Sequence, residues 1–477
     1  MNNKNFYITT TLPYVNSKPH IGFALEIIQA DVIARYKKML GCNVFFNTGT
    51  DEHGQKIYQK ALEEKKDPQE YVDEYAQKFD LLRDKLNLSY NNFIRTTDLA
   101  HVKAAQKLWQ IALENGYIEK GIYKAKYCVG CELEKQDSEL VDNKCPIHPL
   151  MDITHIEEEN YFFKFSKLQQ KLLDLYKKQP QIVHPKHRLT EIINFVESGL
   201  QDFSISRLKE KMPWGVPVPN DEKHVMYVWF DALTNYISAL GWPDDLEKFN
   251  IFWGDTGNPN AIQVCGKDNL RQQSSMWQAM LLAANLPPSK QIFIHGFITS
   301  NGQKMSKSLG NVVDPIEYVD QYGTDALRYY LLAKINPFED SDFTKEKFEE
   351  CYNGDLANGL GNLVARVSKM CEKSGFEFES QETGFYKEVE ENLKEYRFDE
   401  ALKYIWGKIS EIDQQINKNQ TWKLTGLDLK NELQKYLTTI AEIALNLKPF
   451  MPQTTEKIAN IFGGPIIKSG NSLFPRI

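Results

Sequence analysis

Cys128-x-x-Cys131 and Cys145-x-x-His148 put three thiols and an imidazole at two short gaps in one stretch of chain. A two-residue gap lets a tight turn present a ligand pair, and two pairs fill the tetrahedron that Zn2+ takes with sulfur and nitrogen. A chance cysteine pair or a redox motif is the alternative, and the second pair at this distance weighs against both. No open coordination position or metal-activated base is visible nearby, so the zinc reads as structural, holding a small knuckle. Lys304 and Lys307, with Ser306 and Ser308 beside them and Gly302 and Gly310 at the ends, suit a triphosphate that moves as it reacts. A solvated basic loop has the same composition. His20-Ile21-Gly22 follows Pro19 and opens a helical period of apolar residues at Leu25, Ile28, Val32, Ile33 and Tyr36. Free N–H groups at a helix start attract anions, and Gly22 lets a flat ligand lie against the backbone. A turn histidine before a core-facing helix would look alike. Asp51, in Gly49-Thr-Asp-Glu-His-Gly54, could meet a substrate ammonium group or cap the segment that follows.

These residues need strands that end where they lie. Phe6–Leu12 and Asn43–Thr48 are rich in β-branched and aromatic residues and each runs into a polar loop; Asn92–Thr97 is a third such run. Parallel sheets bind ligands at their carboxyl edge, where Asp51 falls. Amphipathic segments near Gly54–Lys66, Pro68–Leu86 and Leu99–Asn115 alternate with the strands, as an α/β fold requires. The alternation stops from Gly121 to about Lys223, the stretch with the four metal ligands and a return strand at Asn160–Phe165. The sheet is expected to resume at Val225, with a further strand and turn at Ala261–Asp268 and a strand at Gln291–Ile298. Trp229, Ala232 and Tyr236 are spaced to share a helical face, for core packing or for an apolar pocket. From about Lys345 the chain reads as helical throughout. Asn362 and Arg366 share a helix face that is ordinarily solvated, and Trp422 by itself reads as core.

At 477 residues the chain can hold two to four domains with buried cores. Its 42% hydrophobic and 25% charged content is that of a globular protein, and no apolar run reaches membrane-spanning length. The opening MNNKNFYITT enters a strand without the apolar core of a secretory signal, which places the chain in the cytoplasm. With 57 basic against 64 acidic residues and a net charge of −7, contact with nucleic acid must use local basic patches. Seven cysteines, three of them clustered, fit a reducing compartment and a metal site better than a disulfide framework.

Pro19-His20-Ile21-Gly22 and Lys304-Met305-Ser306-Lys307-Ser308 resemble the two signatures of class I aminoacyl-tRNA synthetases, in their usual order and far apart. Leu12-Pro13-Tyr14, Thr48–Gly54, Tyr227–Ala232 and His295-Gly296 look like the methionyl branch of that family, and the likeness runs from about Phe6 to Ile477. It implies an α/β fold: a Rossmann-type parallel-sheet catalytic domain in two halves, 1–120 and 225–322, split by a connective insertion with a zinc knuckle at 121–224. A stem-contact region at 323–350 and an α-helical bundle anticodon-binding domain at 351–477 would follow. An insertion of this length leaves no room for the large editing domain of the leucine, isoleucine and valine enzymes.

The resemblance further implies an ATP-dependent, AMP-forming ligase acting on methionine and tRNA(Met). By the same likeness His20, Lys304 and Lys307 act in catalysis, and Gly22, Gly266, Asp268 and Ser306 join them in holding ATP. Leu12, Tyr14, Asp51, Trp229, Ala232, Tyr236 and His295 would hold methionine, Asp51 through the ammonium group and the aromatic residues around a flexible, polarizable thioether. Asn362, Arg366 and Trp422 would hold anticodon bases, and Cys128, Cys131, Cys145 and His148 one structural Zn2+. Mg2+ is expected through the ATP phosphates.

The chain departs from the family pattern in three places. Phe23 stands where the first signature normally has a second histidine, Leu233 where some relatives have proline, and Arg271-Gln-Gln-Ser274 where many have a histidine. The sequence ends at Ile477, where relatives with an appended tRNA-binding dimerisation domain continue, so a monomer is expected. Three rivals share part of this pattern. Against a class I synthetase for another amino acid stand the Trp229 stripe and the single knuckle. Against a small-molecule adenylyltransferase stands the long helical C-terminus, and against a non-catalytic tRNA-binding relative stand His20, Asp51, Lys304 and Lys307.

Overall fold

A computed structural model describes residues 5–131, 133–135, 139–305, 310–379 and 383–477. They fall into two compact units, the first built from Met1–Lys18, Gly41–Leu81 and Tyr90–Ile294, the second from Pro19–Leu40, Leu82–Ser89 and His295–Ile477. Ser306 and Lys307 lie outside the described residues.

The first twelve strands, in chain order, are β1 (Asn5–Thr10), β2 (Asn43–Thr50), β3 (Asn92–Arg95), β4 (Ile118–Cys128), β5 (Leu133–Lys135), β6 (Thr154–Phe163), β7 (Val183–His184), β8 (Phe203–Ser204), β9 (Ser206–Leu208), β10 (His224–Met226), β11 (Ala261–Gly266) and β12 (Gln291–His295). Six of them form a sheet in the order β3-β2-β1-β11-β12-β7. Its pairs β1/β2, β2/β3, β1/β11 and β7/β12 are parallel. Tyr7, Ile8 and Thr9 of β1 and every residue of β11 are buried, as in a strand covered on both faces. Trp109, Trp253 and Trp277 are fully buried in one apolar cluster with Tyr7, Phe163 and Phe230. The inserted segment builds an antiparallel sheet in the order β5-β4-β6-β8, in which Ile118 of β4 faces Phe163 of β6.

Two strand expectations are corrected. Val225 does not resume the parallel sheet. Its short strand β10 pairs antiparallel with β9, and the Met226 N–H goes to Val216 O at 2.7 Å, so both edges are taken before the chain turns into the helix Val228–Leu233. The sheet is rejoined at β11. Gln291–Ile298 is not one strand either: the Gly296 and Phe297 N–H groups are diverted to Pro337 O and Asp340 Oδ1, and Ile298 starts a separate sheet.

That sheet belongs to the second unit, with β13 (Ile298–Ser300), β14 (Gln303–Lys304) and β15 (Ser341–Phe343) in the order β14-β13-β15. The same unit contains α1 (Ile21–Met39) and the helices Asn362–Ser374, Phe398–Lys418, Gly426–Leu447 and Pro452–Phe462, so the helical reading beyond Lys345 holds. Each long helix buries one stripe, for example Ile405, Ile409, Ile412 and Ile416. Arg328, fully buried on the helix Thr324–Ala333, ties the unit together. Its guanidinium donates to Phe450 O, Leu86 O and Pro449 O and pairs with Asp31 of α1 at 2.8 Å. Removing one partner of such a buried pair leaves an uncompensated charge, which is why both are met by several contacts. Among the described residues, no helix is long and apolar enough to cross a membrane.

Candidate functional site

The predicted residues of the first unit gather at the carboxyl ends of β1, β2 and β11. Beyond those ends the chain keeps its register: Tyr14 pairs with Asp51 in a parallel bridge, with Asp51 N donating to Pro13 O at 3.0 Å and Val15 N to Asp51 O at 3.2 Å. The Asp51 carboxylate is thereby fixed at the sheet edge and buried. Leu12 and Tyr14 are half-buried beside it. The next residue, Glu52, takes a bidentate pair of bonds from Arg95 at 2.7 and 2.9 Å, which locks the loop. At the end of β11, Gly266 is buried and Asp268 is exposed on the single turn Lys267–Asn269.

Trp229, Ala232 and Tyr236 keep their shared face across two short helices, Val228–Leu233 and Asn235–Ser238, because Thr234 between them is also helical. Ala232 and Tyr236 are buried and Trp229 is half-buried. Two bonds fasten these helices above the strands: Tyr7 Oη donates to Tyr236 O at 2.8 Å, and His53 Nδ1 donates to Asp231 Oδ2 at 2.7 Å. His101 Nε2 donates to the other oxygen of Asp231 at 2.8 Å. Burial alone would raise the Asp231 pKa, but the pull of His53 and the hydrogen bonds from both imidazoles outweigh it and hold the carboxyl down at about 2. A lowered folded-state value contributes stability that is fully present above the ordinary carboxylate pKa of about 4, and this is lost as the pH falls through about 2. Asp231→Asn is expected to cost about 3 kcal/mol at neutral pH. Chemical denaturation of both proteins from pH 7 to pH 2.5 checks this, and the difference should shrink toward the acid end.

In the second unit His20 is the N-cap of α1. Its Nδ1 accepts from Gly22 N at 3.1 Å, which leaves the ring proton on Nε2, the nitrogen facing away from the cap. Ile21 N donates to Val313 O at 3.0 Å, so the start of α1 is joined to the segment that follows the lysine loop. Lys304 lies on β14 of a tight hairpin rather than in an open loop. Asn301 and Gly302 both take positive φ, the backbone a two-residue hairpin turn needs, and Asp342 accepts from Gly302 N at 2.7 Å. The Lys304 side chain is exposed, with Nζ 5.3 Å from the Phe297 ring centre. His295 meets Glu26 Oε2 through Nε2 at 3.1 Å and the Gly296 carbonyl through Nδ1 at 2.7 Å. His20, Gly22, His295 and Lys304 are thus residues of the second unit, and Leu12, Tyr14, Asp51, Trp229, Ala232, Tyr236, Gly266 and Asp268 belong to the first.

The four ligand atoms of Cys128, Cys131, Cys145 and His148 all lie within 4.8 Å of one another. His148 Nδ1 is 3.2, 3.8 and 4.0 Å from the sulfurs of Cys131, Cys128 and Cys145, and Cys131 Sγ is 3.5 Å from Cys145 Sγ. A tetrahedron with Zn–S and Zn–N bonds of about 2.3 and 2.0 Å has edges of roughly 3.5–3.8 Å, so the donor set fits that ion. Gly130 has no side chain for a reason visible here: a Cβ would come within 2.4 Å of the His148 ring. All three cysteines are free thiols.

Further along the second unit, Asn362 is exposed and Arg366 half-buried one turn apart on the helix Asn362–Ser374. Arg366 reaches Asn417 Oδ1 at 2.6 Å and lies 5.5 Å from the Trp422 ring centre. Trp422 is 54% exposed, unlike the core residue that it suggests when taken by itself. It sits on the single turn Thr421–Lys423 after Gln420 in a left-handed conformation, which swings the indole outward while Thr421 takes the buried place.

The family model for class I tRNA synthetases of the M type matches residues 6–152 and 137–368, and that for the anticodon-binding domain of tRNA ligases matches 378–474. A methionine–tRNA ligase of Thermotoga maritima is 42% identical over 95% of this chain and 74% of its own. One from Brucella melitensis is 38% identical over 98% and 93%. The chain belongs to the methionyl-tRNA synthetase family. A solved Mycobacterium tuberculosis methionyl-tRNA synthetase in complex with methionyl-adenylate matches with TM-score 0.90 at 32% identity, over 99% of this chain and all of that one. The expected fold class of this synthetase-family chain therefore stands.

Sequence reasoning about this synthetase-family chain missed the His53–Asp231–His101 set, although all three residues were in view. Their partners are 178 and 130 positions apart. It also missed Gln273, which donates to Tyr236 Oη at 2.5 Å. Gln273 lies in the polar run Arg271-Gln-Gln-Ser-Ser275, where nothing local sets it apart from its neighbours.

Proposed function

We propose that this chain is a methionine–tRNA ligase that converts methionine and ATP to methionyl-adenylate and pyrophosphate, then moves the methionyl group to the 3′-terminal adenosine of tRNA(Met). The observation that carries this reading is likeness over almost the whole chain to proteins so named. In-line attack of a carboxylate on a phosphate needs positive charge aimed at the transition state more than it needs a base. Asp51 would hold the methionine ammonium group, with Leu12, Tyr14, Trp229, Ala232, Tyr236 and His295 around the side chain. The His20 Nε2–H would donate to phosphate oxygens, Lys304 would assist, and Lys307 with Ser306 would follow the departing phosphates. Gly22, Gly266 and Asp268 would seat the nucleotide, and Mg2+ would enter with it. The Cys128–His148 cluster would hold one Zn2+ with no open position, and this ion serves the fold of the insertion.

Phe23, one turn into α1, cannot donate where the family signature has an imidazole. Phe23→His is therefore expected to speed adenylate formation, by up to on the order of a hundredfold. A variant no faster than the unaltered protein would mean that another group already does this work. Asn362, Arg366 and Trp422 would take unpaired anticodon bases, the exposed indole stacking on them. Trp422→Ala is expected to leave pyrophosphate exchange intact and to lower methionylation of tRNA by roughly tenfold or more, the worth of one base–aromatic stack. Equal losses in both assays would make Trp422 a residue of the fold.

The reading as a whole is tested by methionine-dependent exchange of labelled pyrophosphate into ATP, with leucine, valine, isoleucine and cysteine as comparison substrates. Exchange with methionine alone supports it. Exchange with another amino acid keeps the class and overturns the pocket, and none from folded, zinc-loaded protein favours a non-catalytic RNA-binding role.

A further inference from the structure

Glu52, the residue after Asp51, is fully buried, and each of its polar groups has a partner. Its carboxylate accepts from Thr50 Oγ1 at 2.6 Å, from Arg95 Nε and Nη2 at 2.7 and 2.9 Å, and from Thr97 Oγ1. These donors fill the acceptor sites of a carboxylate, so the side chain is a fixture of the loop and not a base or a ligand. The Glu52 N–H donates to Thr96 Oγ1 at 2.9 Å, and the Glu52 carbonyl accepts from the Trp214 indole N–H at 2.7 Å. Peptide planes are rigid, so these two bonds orient the planes on either side of residue 52. The Asp51 N–H on Pro13 O, at 3.0 Å, orients the plane before them. The backbone that carries the Asp51 carboxylate is thereby set on both sides. All of these partners lie in strands of the parallel sheet or just beyond their ends, except Trp214, which comes from the inserted segment.

Trp214 is itself firmly seated. Just after it, Pro217 pairs with Val225 of β10 in an antiparallel bridge, flanked by the bonds from Met226 N to Val216 O at 2.7 Å and from Val218 N to His224 O at 3.1 Å. The indole also packs on the His53 ring, 5.5 Å away between centres. His53 bonds to Asp231 on the helix Val228–Leu233, which carries Trp229 and Ala232. We infer that Trp214 is a positioning residue for amino-acid recognition: it holds the Glu52 carbonyl so that the Asp51 carboxylate meets the α-ammonium group of the substrate, with Thr96 gripping the same residue from the other side. This rests on the reading above, in which Asp51 holds that ammonium group. The attraction between two charges falls with their separation, so a carboxylate let out of place loses affinity for the ammonium group and for nothing else on the substrate. The inserted segment thereby takes part in recognising the amino acid.

The test compares the Kd values of two ligands by calorimetry: methioninol, which keeps the ammonium group, and the same alcohol without its amino group. Their ratio reads the ammonium contact alone. Asp51→Asn should reduce the preference for methioninol most. Trp214→Phe keeps a ring beside His53 and removes the N–H. It should reduce the preference about three- to tenfold, the worth of one hydrogen bond, through weaker methioninol with the other alcohol unchanged. In pyrophosphate exchange the KM for methionine should rise with it and the KM for ATP should not. Thr96→Val should act in the same direction, and Asp51→Asn combined with Trp214→Phe should lose no more than Asp51→Asn alone. An unchanged preference in Trp214→Phe, or equal weakening of both alcohols, would overturn the inference and leave Trp214 a packing residue. An unchanged preference in Asp51→Asn would overturn the Asp51 reading and the inference with it. No exchange with methionine in the unaltered chain would overturn the adenylation reading itself.

Discussion

Replacing His20 with alanine is expected to slow methionine-dependent adenylate formation by about 100- to 1000-fold, the usual loss when one preorganised donor to developing charge is removed. The N-cap geometry bears on which nitrogen would donate in the proposed reaction. Nδ1 is occupied by the Gly22 N–H, so the donating group would be Nε2–H on the far side of the ring. Alanine removes the cap as well as this donor, and a lost cap costs about 1 kcal/mol of helix stability. His20→Asn separates the two effects. Asparagine caps a helix well, so thermal stability should return, but its short amide cannot replace the outward Nε2–H and exchange should stay slow. Steady-state exchange and thermal melts of both variants check this. A stable His20→Asn protein with full exchange would reduce His20 to a cap.

Cys145→Ser should abolish stoichiometric zinc and open the inserted segment. Cys145 is fully buried at the head of a tight turn in which the His148 N–H donates to Cys145 O at 3.0 Å, so its sulfur and the His148 ring are offered together. A hydroxyl is a poor zinc ligand, and the free energy of a structural site, about 10 kcal/mol or more, is folding free energy for the segment that holds it. Metal analysis should show loss of the ion, and limited proteolysis should cut between Cys128 and His148 first. Acidification should release zinc from the unaltered protein as well, because protons compete for the thiolates. The strand pairs β1/β2, β2/β3 and β1/β11 do not involve this segment, so most of the backbone signal should persist. Retained zinc with an unchanged cleavage pattern would show that the fourth ligand is dispensable.

What the sequence by itself determined is what lies within covalent reach. The two close pairs of the Cys128–His148 cluster, the His20 cap with Gly22, and the helix face shared by Asn362 and Arg366 each span only a few residues, so spacing and backbone geometry settle where they lie. The strands that lead to Asp51 and end on Gly266 were legible too, because β-branched, aromatic and other apolar residues crowd them before a polar loop. Resemblance, not periodicity, marked Trp229, Tyr236 and Trp422.

Tertiary structure decided the rest. Val225 has the composition of a sheet strand, yet β9 and Val216 reach its edges first. Trp422 is apolar enough for a core, but the left-handed backbone at Gln420 turns it outward. Asp231 meets His53 and His101, Arg328 meets Asp31, and Gln273 meets Tyr236 only because crossovers bring distant segments to one place. A buried polar group is costly until a partner arrives, and local sequence carries no record of which distant residue that partner will be.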